Sequence, residues 1–208
     1  MKRESNIELL RIVAMFMIVV HHYCVNSGLT QLFDFNNITF NTILVQFMAF
    51  GGKVGVNIFF IISGFFMINS TFKFEKVLKL VLQILFYCVL VGLFLVFLGY
   101  PYSIKSIVVQ TVKLFIGTNS FIAAYLLVYI LSPIINKMLK VLSNKEHLFL
   151  LSILLLYFSI FSTFFFMYTW NYFGWAATCY VVGAWLKLYS NNYNIHKSLK
   201  MSVLCGGG

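Results

Sequence analysis

Six continuous apolar runs dictate what this chain can become: residues 7–25, 54–67 (with 43–50 leading in), 77–98, 121–139, 148–168 and 174–189. A helix crossing the hydrocarbon core of a bilayer needs roughly 20 apolar residues at about 1.5 Å each. The runs are continuous rather than alternating, which argues against the strands of a membrane barrel. Of 208 residues, 61% are hydrophobic and 10% charged, and mean hydropathy is +0.92. Soluble domains run at roughly 45–50% and about 25%. Too few polar side chains remain to clothe a water-facing surface. A soluble enzyme, a secreted disulfide scaffold and a disordered tail are therefore excluded. The expected fold is all-α: a polytopic integral membrane bundle of about six transmembrane helices, forming one membrane-embedded domain over residues 1–208.

The second run is interrupted by Gly51, Gly52, Lys53 and Gly55, so a kink or a re-entrant segment buried in protein is expected there. Cationic residues set the orientation. With the N-terminus cytoplasmic, the inner side carries Lys2, Arg3, Lys73, Lys76, Lys79, Lys137, Lys140, Lys145, Lys187, Lys197 and Lys200, eleven in all; the outer side holds Lys53, Lys105 and Lys113. Residues 26–40 are polar without a basic residue, as suits an outward loop, and residues 102–117 suit a helix lying along the membrane surface. The net charge of +10 is scattered through short gaps and offers no basic face for nucleic acid. The first run has no small-x-small cleavage site, so it reads as a spanning helix and not a signal peptide. Cys24, Cys88, Cys179 and Cys205 lie far apart, which suits apolar packing and indicates neither a disulfide nor a metal. The terminal Gly206, Gly207 and Gly208 suggest a truncated end.

Chemistry concentrates in the first run. Arg11 and His22 are eleven residues apart, about 1100° around a helix, which returns them to within roughly 20° on one face and about 16 Å apart along the axis. Glu8 lies three residues before Arg11 and can hold its guanidinium. An arginine in a span costs about 2.5–3.5 kcal/mol on insertion scales and so marks either function or an interfacial anchor. By spacing alone Arg11 reads equally as a positive-inside anchor, and His21 and His22 as interfacial residues. His21 is about 100° around the helix from His22 and is expected to face elsewhere. The segment Gly55-Val-Asn57-Ile-Phe59-Phe60-Ile-Ile-Ser63-Gly64-Phe65 combines small residues with aromatics, as a tight helix crossing needs.

Glu8-Leu-Leu-Arg11 through His22, followed by Gly55-x-x-x-Phe-Phe-x-x-Ser-Gly-Phe65, resembles the membrane-bound acyltransferase 3 family, integral-membrane O-acyltransferases of bacterial surface polysaccharides. The run Tyr125-Leu-Leu-Val-Tyr129-Ile-Leu-Ser-Pro133 is similar to the family's later aromatic-and-proline span. The resemblance implies acetyl-CoA as the acyl donor on the cytoplasmic side of a bacterial membrane, no metal, and a polysaccharide hydroxyl as acceptor outside. It implies His22 as general base, Arg11 as the residue that positions the donor or stabilises charge near it, and Glu8 and Ser63 in support. Lys73, Lys76 and Lys79 stand where the family usually has arginines, and are expected to meet the donor's phosphates without an arginine's bidentate geometry. The family's bundle has more spans than six, so a C-terminally truncated copy is expected. Two other functions fit the composition: a transporter or flippase of a glycan precursor, and an inactive membrane fragment that needs a partner chain.

Overall fold

A computed structural model describes residues 5–29, 38–101, 103–117, 120–164 and 171–189. Lys2, Arg3, Asp34, the end of the fifth run at Tyr168, and the tail bearing Lys197, Lys200, Cys205 and Gly206 to Gly208 lie outside the described residues. Every regular element among the described residues is helical: α1 (Ser5–Asn26), α2 (Phe40–Met67), α3 (Phe74–Phe97), α4 (Ile104–Ile116), α5 (Phe121–Val141), α6 (Asn144–Leu155), a π-helical segment (Leu156–Phe161) continuing into α7 (Ser162–Phe164), and α8 (Tyr172–Tyr189).

Side-chain oxygens start several of these helices by accepting otherwise unpaired backbone N–H groups. Thr39 accepts from Thr42, Ser103 from Ser106 and Ser120 from Ala123. Ser143 and Glu146 form a reciprocal capping box at the start of α6. Pro133 sits inside α5. A helix forms over the stretch expected to hold one, and at 13 residues, about 20 Å, α4 falls short of the ~30 Å hydrocarbon core. Its Ile107 packs on Gly92 of α3.

Five helical segments are long and apolar enough to cross a membrane: α1, α2, α3, α5 and the rod of residues 144–164. The sixth expected span is α8, which is not among them, and its position explains why. Thr178 and Tyr180 of α8 are fully buried, and its polar groups bond to neighbouring helices. Trp175 Nε1 donates to Asn57 Oδ1 (2.8 Å), Tyr180 Oη to Asn136 Oδ1 (2.7 Å), Trp185 Nε1 to Asn144 Oδ1 (2.9 Å) and Tyr189 Oη to the Leu142 carbonyl (2.6 Å). Asn136 passes the chain on, donating through Nδ2 to the Met67 carbonyl at 2.8 Å. Interhelical bonds of this kind average about 0.6 kcal/mol in membrane proteins. A helix with protein on all sides gains nothing from being uniformly apolar.

The expected break in α2 does not occur: the helix runs continuously through Gly51, Gly52, Lys53 and Gly55. Glycine costs a helix about 1 kcal/mol relative to alanine, but here the missing side chains let α1 approach. A Cβ at Gly55 would press on the Ala14 carbonyl, and one at Gly52 would overlap His21. The same device joins α2 to α8, where a Cβ at Gly64 would overlap the Tyr180 carbonyl and one at Gly183 the Ile61 carbonyl. The tight crossing expected of residues 55–65 is thus realised against both neighbours.

Contacts fix the direction of each helix. Ala14 meets Gly55 while His21 meets Gly52, so α1 and α2 are antiparallel. Asn57 pairs with Trp175, and Lys187 lies 4.4 Å from the centre of the Phe65 ring, so α2 and α8 run parallel. Tyr180 reaches Asn136 and Tyr189 reaches Leu142, so α5 is parallel to α8. Arg11 and Lys187 therefore gather at one end, the basic end, and His21, His22 and Lys53 lie toward the other.

Candidate active site

The packing of α1 places the two histidines. Setting Arg11 at zero, ideal helical rotation puts Ala14 at about −60°, Ile18 at −20°, His21 at −80° and His22 at +20°. Ala14 and Ile18 are buried, and Ala14, Met17, Ile18 and His21 meet glycines of α2, so the face pressed against α2 spans about −120° to −20°. His21 lies on that face, against Gly52, and His22 at its rim. Both consequently line one cavity of about 620 Å³, with Lys53, Asn57, Tyr172 and Trp175. The expectation that His21 faces elsewhere is corrected here: His21 lies on the packed face and His22 at its rim, and one cavity reaches both.

The two imidazoles are in different states of constraint. His21 is half-buried over Gly52, and its Nδ1 meets the Ala49 carbonyl oxygen. A carbonyl oxygen can only accept, so Nδ1 is the donor in that contact. His22 is exposed in the cavity. The rings stand edge to face with centroids 5.4 Å apart. Asn57 accepts from Trp175 Nε1 at 2.8 Å, which orients the indole and leaves the amide N–H groups of Asn57 for other partners.

A second cavity of about 450 Å³ lies toward the basic end, lined by Met15, Phe59, Met67, Ser70, Lys76, Ile84, Tyr125, Tyr129 and neighbouring apolar residues. Lys76 and Ser70 are its polar members beside the tyrosines. Arg11 is half-buried, with its guanidinium carbon 5.3 Å from the centre of the Phe66 ring, an arrangement that favours the cation electrostatically. Arg11 and His22 are thus divided between the two ends of the bundle, as their spacing on α1 requires.

The remaining sequence candidates separate. Of the three lysines after α2, Lys76 lines the inner cavity, Lys79 lines a different groove on α3 with Glu75 and Tyr87, and Lys73 is the residue preceding α3. Ser63 is buried and donates to the Phe59 carbonyl of its own helix at 2.8 Å, and it lines neither cavity. Glu8 lies half-buried in the first turn of α1. Sequence reasoning did not single out Asn57, Tyr172 and Trp175 as site residues. The pair Asn57 and Trp175 is 118 residues apart, and only the parallel packing of α2 and α8 brings it together. Among the described residues no three His, Cys, Asp or Glu side chains converge.

No curated protein and no solved structure matches the chain. The acyltransferase 3 family model, described as an acyltransferase domain, matches residues 4–207. With Arg11 and His22 in the spacing that first suggested it, the chain belongs to the acyltransferase 3 family and is a multi-pass membrane acyltransferase.

Proposed function

We propose that this acyltransferase moves an acetyl group from acetyl-CoA at the basic, cytoplasmic end of the bundle to a hydroxyl of a surface polysaccharide at the opposite end, in the cytoplasmic membrane of a bacterium. The observation that supports this reading is the pair of cavities arranged along the bundle, one near the cations and one holding the histidines. Coenzyme A is polyanionic, and Lys76 at the inner cavity, with Lys73 and Lys79 nearby in sequence, offers it positive potential. The apolar walls of that cavity suit the pantetheine arm. In the outer cavity, Trp175 and Tyr172 present aromatic surface to a sugar ring, and Asn57 and Lys53 present donors to its hydroxyls. Family membership favours group transfer over transport of a glycan precursor.

In the proposed step His22 removes the proton from the acceptor hydroxyl. The oxygen attacks the thioester carbonyl, the new C–O ester bond forms, the C–S bond breaks, and the departing thiolate takes the proton from His22. Arg11, held over Phe66, keeps its charge at the donor end. His21, with Nδ1 fixed on Ala49, holds α1 against α2 and keeps His22 in register.

The test is thiol release from acetyl-CoA by membranes carrying the full chain and a polysaccharide acceptor. His22→Ala is expected to lower the rate about 10²-fold or more, the usual contribution of a positioned base. His21→Ala is expected to lower it by less, because the base remains while its support is gone. Wild-type rates in His22→Ala would overturn the assignment. Arg11→Lys is expected to be impaired; an undiminished rate would mean that the cation serves only as an anchor.

A further inference from the structure

We infer that Ile122, set beside Phe121, is the partition that fixes which acyl groups this enzyme transfers. The inference rests on the transfer reaction proposed above and names the size of its acyl substrate. Phe121 and Ile122, the first two residues of α5, are the residues that line both the inner and the outer cavity. On this inference an acyl group carried in on a pantetheine arm from the basic end passes these two residues to reach the histidines.

The two members of the partition differ in freedom. Phe121 is locked in an aromatic cluster: its ring centroid is 5.2 Å from that of Phe59, 5.5 Å from that of Phe60, and stacked on Tyr125 at 6.5 Å with a 17° interplanar angle. Ile122 stands outside the core cluster that Phe121 packs against. Its backbone is nonetheless well placed. The preceding Ser120 caps α5 by accepting from Ala123, and its hydroxyl donates to the Leu114 carbonyl at the end of α4. The branched Ile122 side chain therefore narrows the passage from a fixed base. The inner cavity below it is largely apolar and can hold a longer acyl chain that does not pass.

The consequence is a division between binding and turnover. Longer acyl-CoAs bind in the inner cavity, but their carbonyl does not reach His22. The test uses the full chain in proteoliposomes with acetyl-, butyryl- and hexanoyl-CoA, measuring kcat and KM for each. For the wild type, kcat is expected to fall at least about tenfold from acetyl to hexanoyl while KM changes little, since even one methylene against a fixed wall is worth about tenfold and hexanoyl adds four. Ile122→Ala is expected to raise the hexanoyl-to-acetyl kcat ratio about tenfold by removing that wall, and Ile122→Phe to lower it. Ile122→Val supplies a milder increase should the alanine variant fail to fold. An unchanged ratio in these variants, with the wild type transferring acetyl groups, would overturn the partition alone. No turnover of any acyl-CoA by the wild type would overturn the proposed function, and the partition with it.

Discussion

At the scale of the residue, the polar side chains inside this bundle fall into those with partners and those without. Asn136 bridges the Tyr180 hydroxyl and the Met67 carbonyl, so Asn136→Leu removes two interhelical bonds. It should cost about 1–2 kcal/mol at membrane-protein values per bond, read as a lower midpoint in thermal unfolding of the purified protein. His147 is the opposite case. It is fully buried against the Tyr189 ring, and neither ring nitrogen reaches good hydrogen-bond geometry among the described residues, the Val181 backbone being the polar group that bears on it. Replacing an unsatisfied buried polar group with an apolar one of similar size is neutral or stabilising. His147→Leu is therefore expected to hold or raise the same midpoint; a fall would reveal a hydrogen bond made in the membrane. Arg11 and His22 could be set on one face of α1 from the sequence because helical rotation is nearly exact over eleven residues, and the family resemblance, not the spacing, assigned them chemistry. The place of His21 could not be set this way, because the centre of the packed face of α1 depends on glycines in α2, not on α1 itself.

At the scale of the element, the spans were legible as apolar runs, but their roles were not. Glycines read as a break in α2 are contact points instead, since a residue without a side chain weakens an isolated helix and strengthens a crossing. Gly64 and Gly183 make this testable. A methyl group at either would overlap a backbone carbonyl of the facing helix, and backbone cannot swing aside as a flexible side chain can. Gly183→Ala should cost at least the roughly 1–3 kcal/mol of an overpacked core, a drop of several degrees in the unfolding midpoint. Gly99→Ala makes the comparison: nothing lies within 4 Å of a Cβ there, but its φ of +82° confines the cost to local strain. α8 escaped a hydropathy count for a related reason. Trp175, Tyr180 and Trp185 are matched by partners on α2, α5 and α6, and Tyr189 by the Leu142 carbonyl just after α5, none of which a local pattern in the sequence announces.

At the scale of the whole molecule, the parallel run of α2, α5 and α8 gathers cations at one end and the histidine cavity at the other. The central claim is that the donor is used from the basic end and the acetyl group emerges at the far end. Sidedness tests it most directly. Sealed vesicles of both orientations, each holding the full chain, are supplied with acetyl-CoA on one side and polysaccharide acceptor on the other. The account predicts acetylated polysaccharide only when acetyl-CoA meets the face bearing Lys76 and the acceptor meets the face bearing His22, with no product in the reversed arrangement. Product formed equally in both arrangements, or only when donor and acceptor share one side, would contradict it.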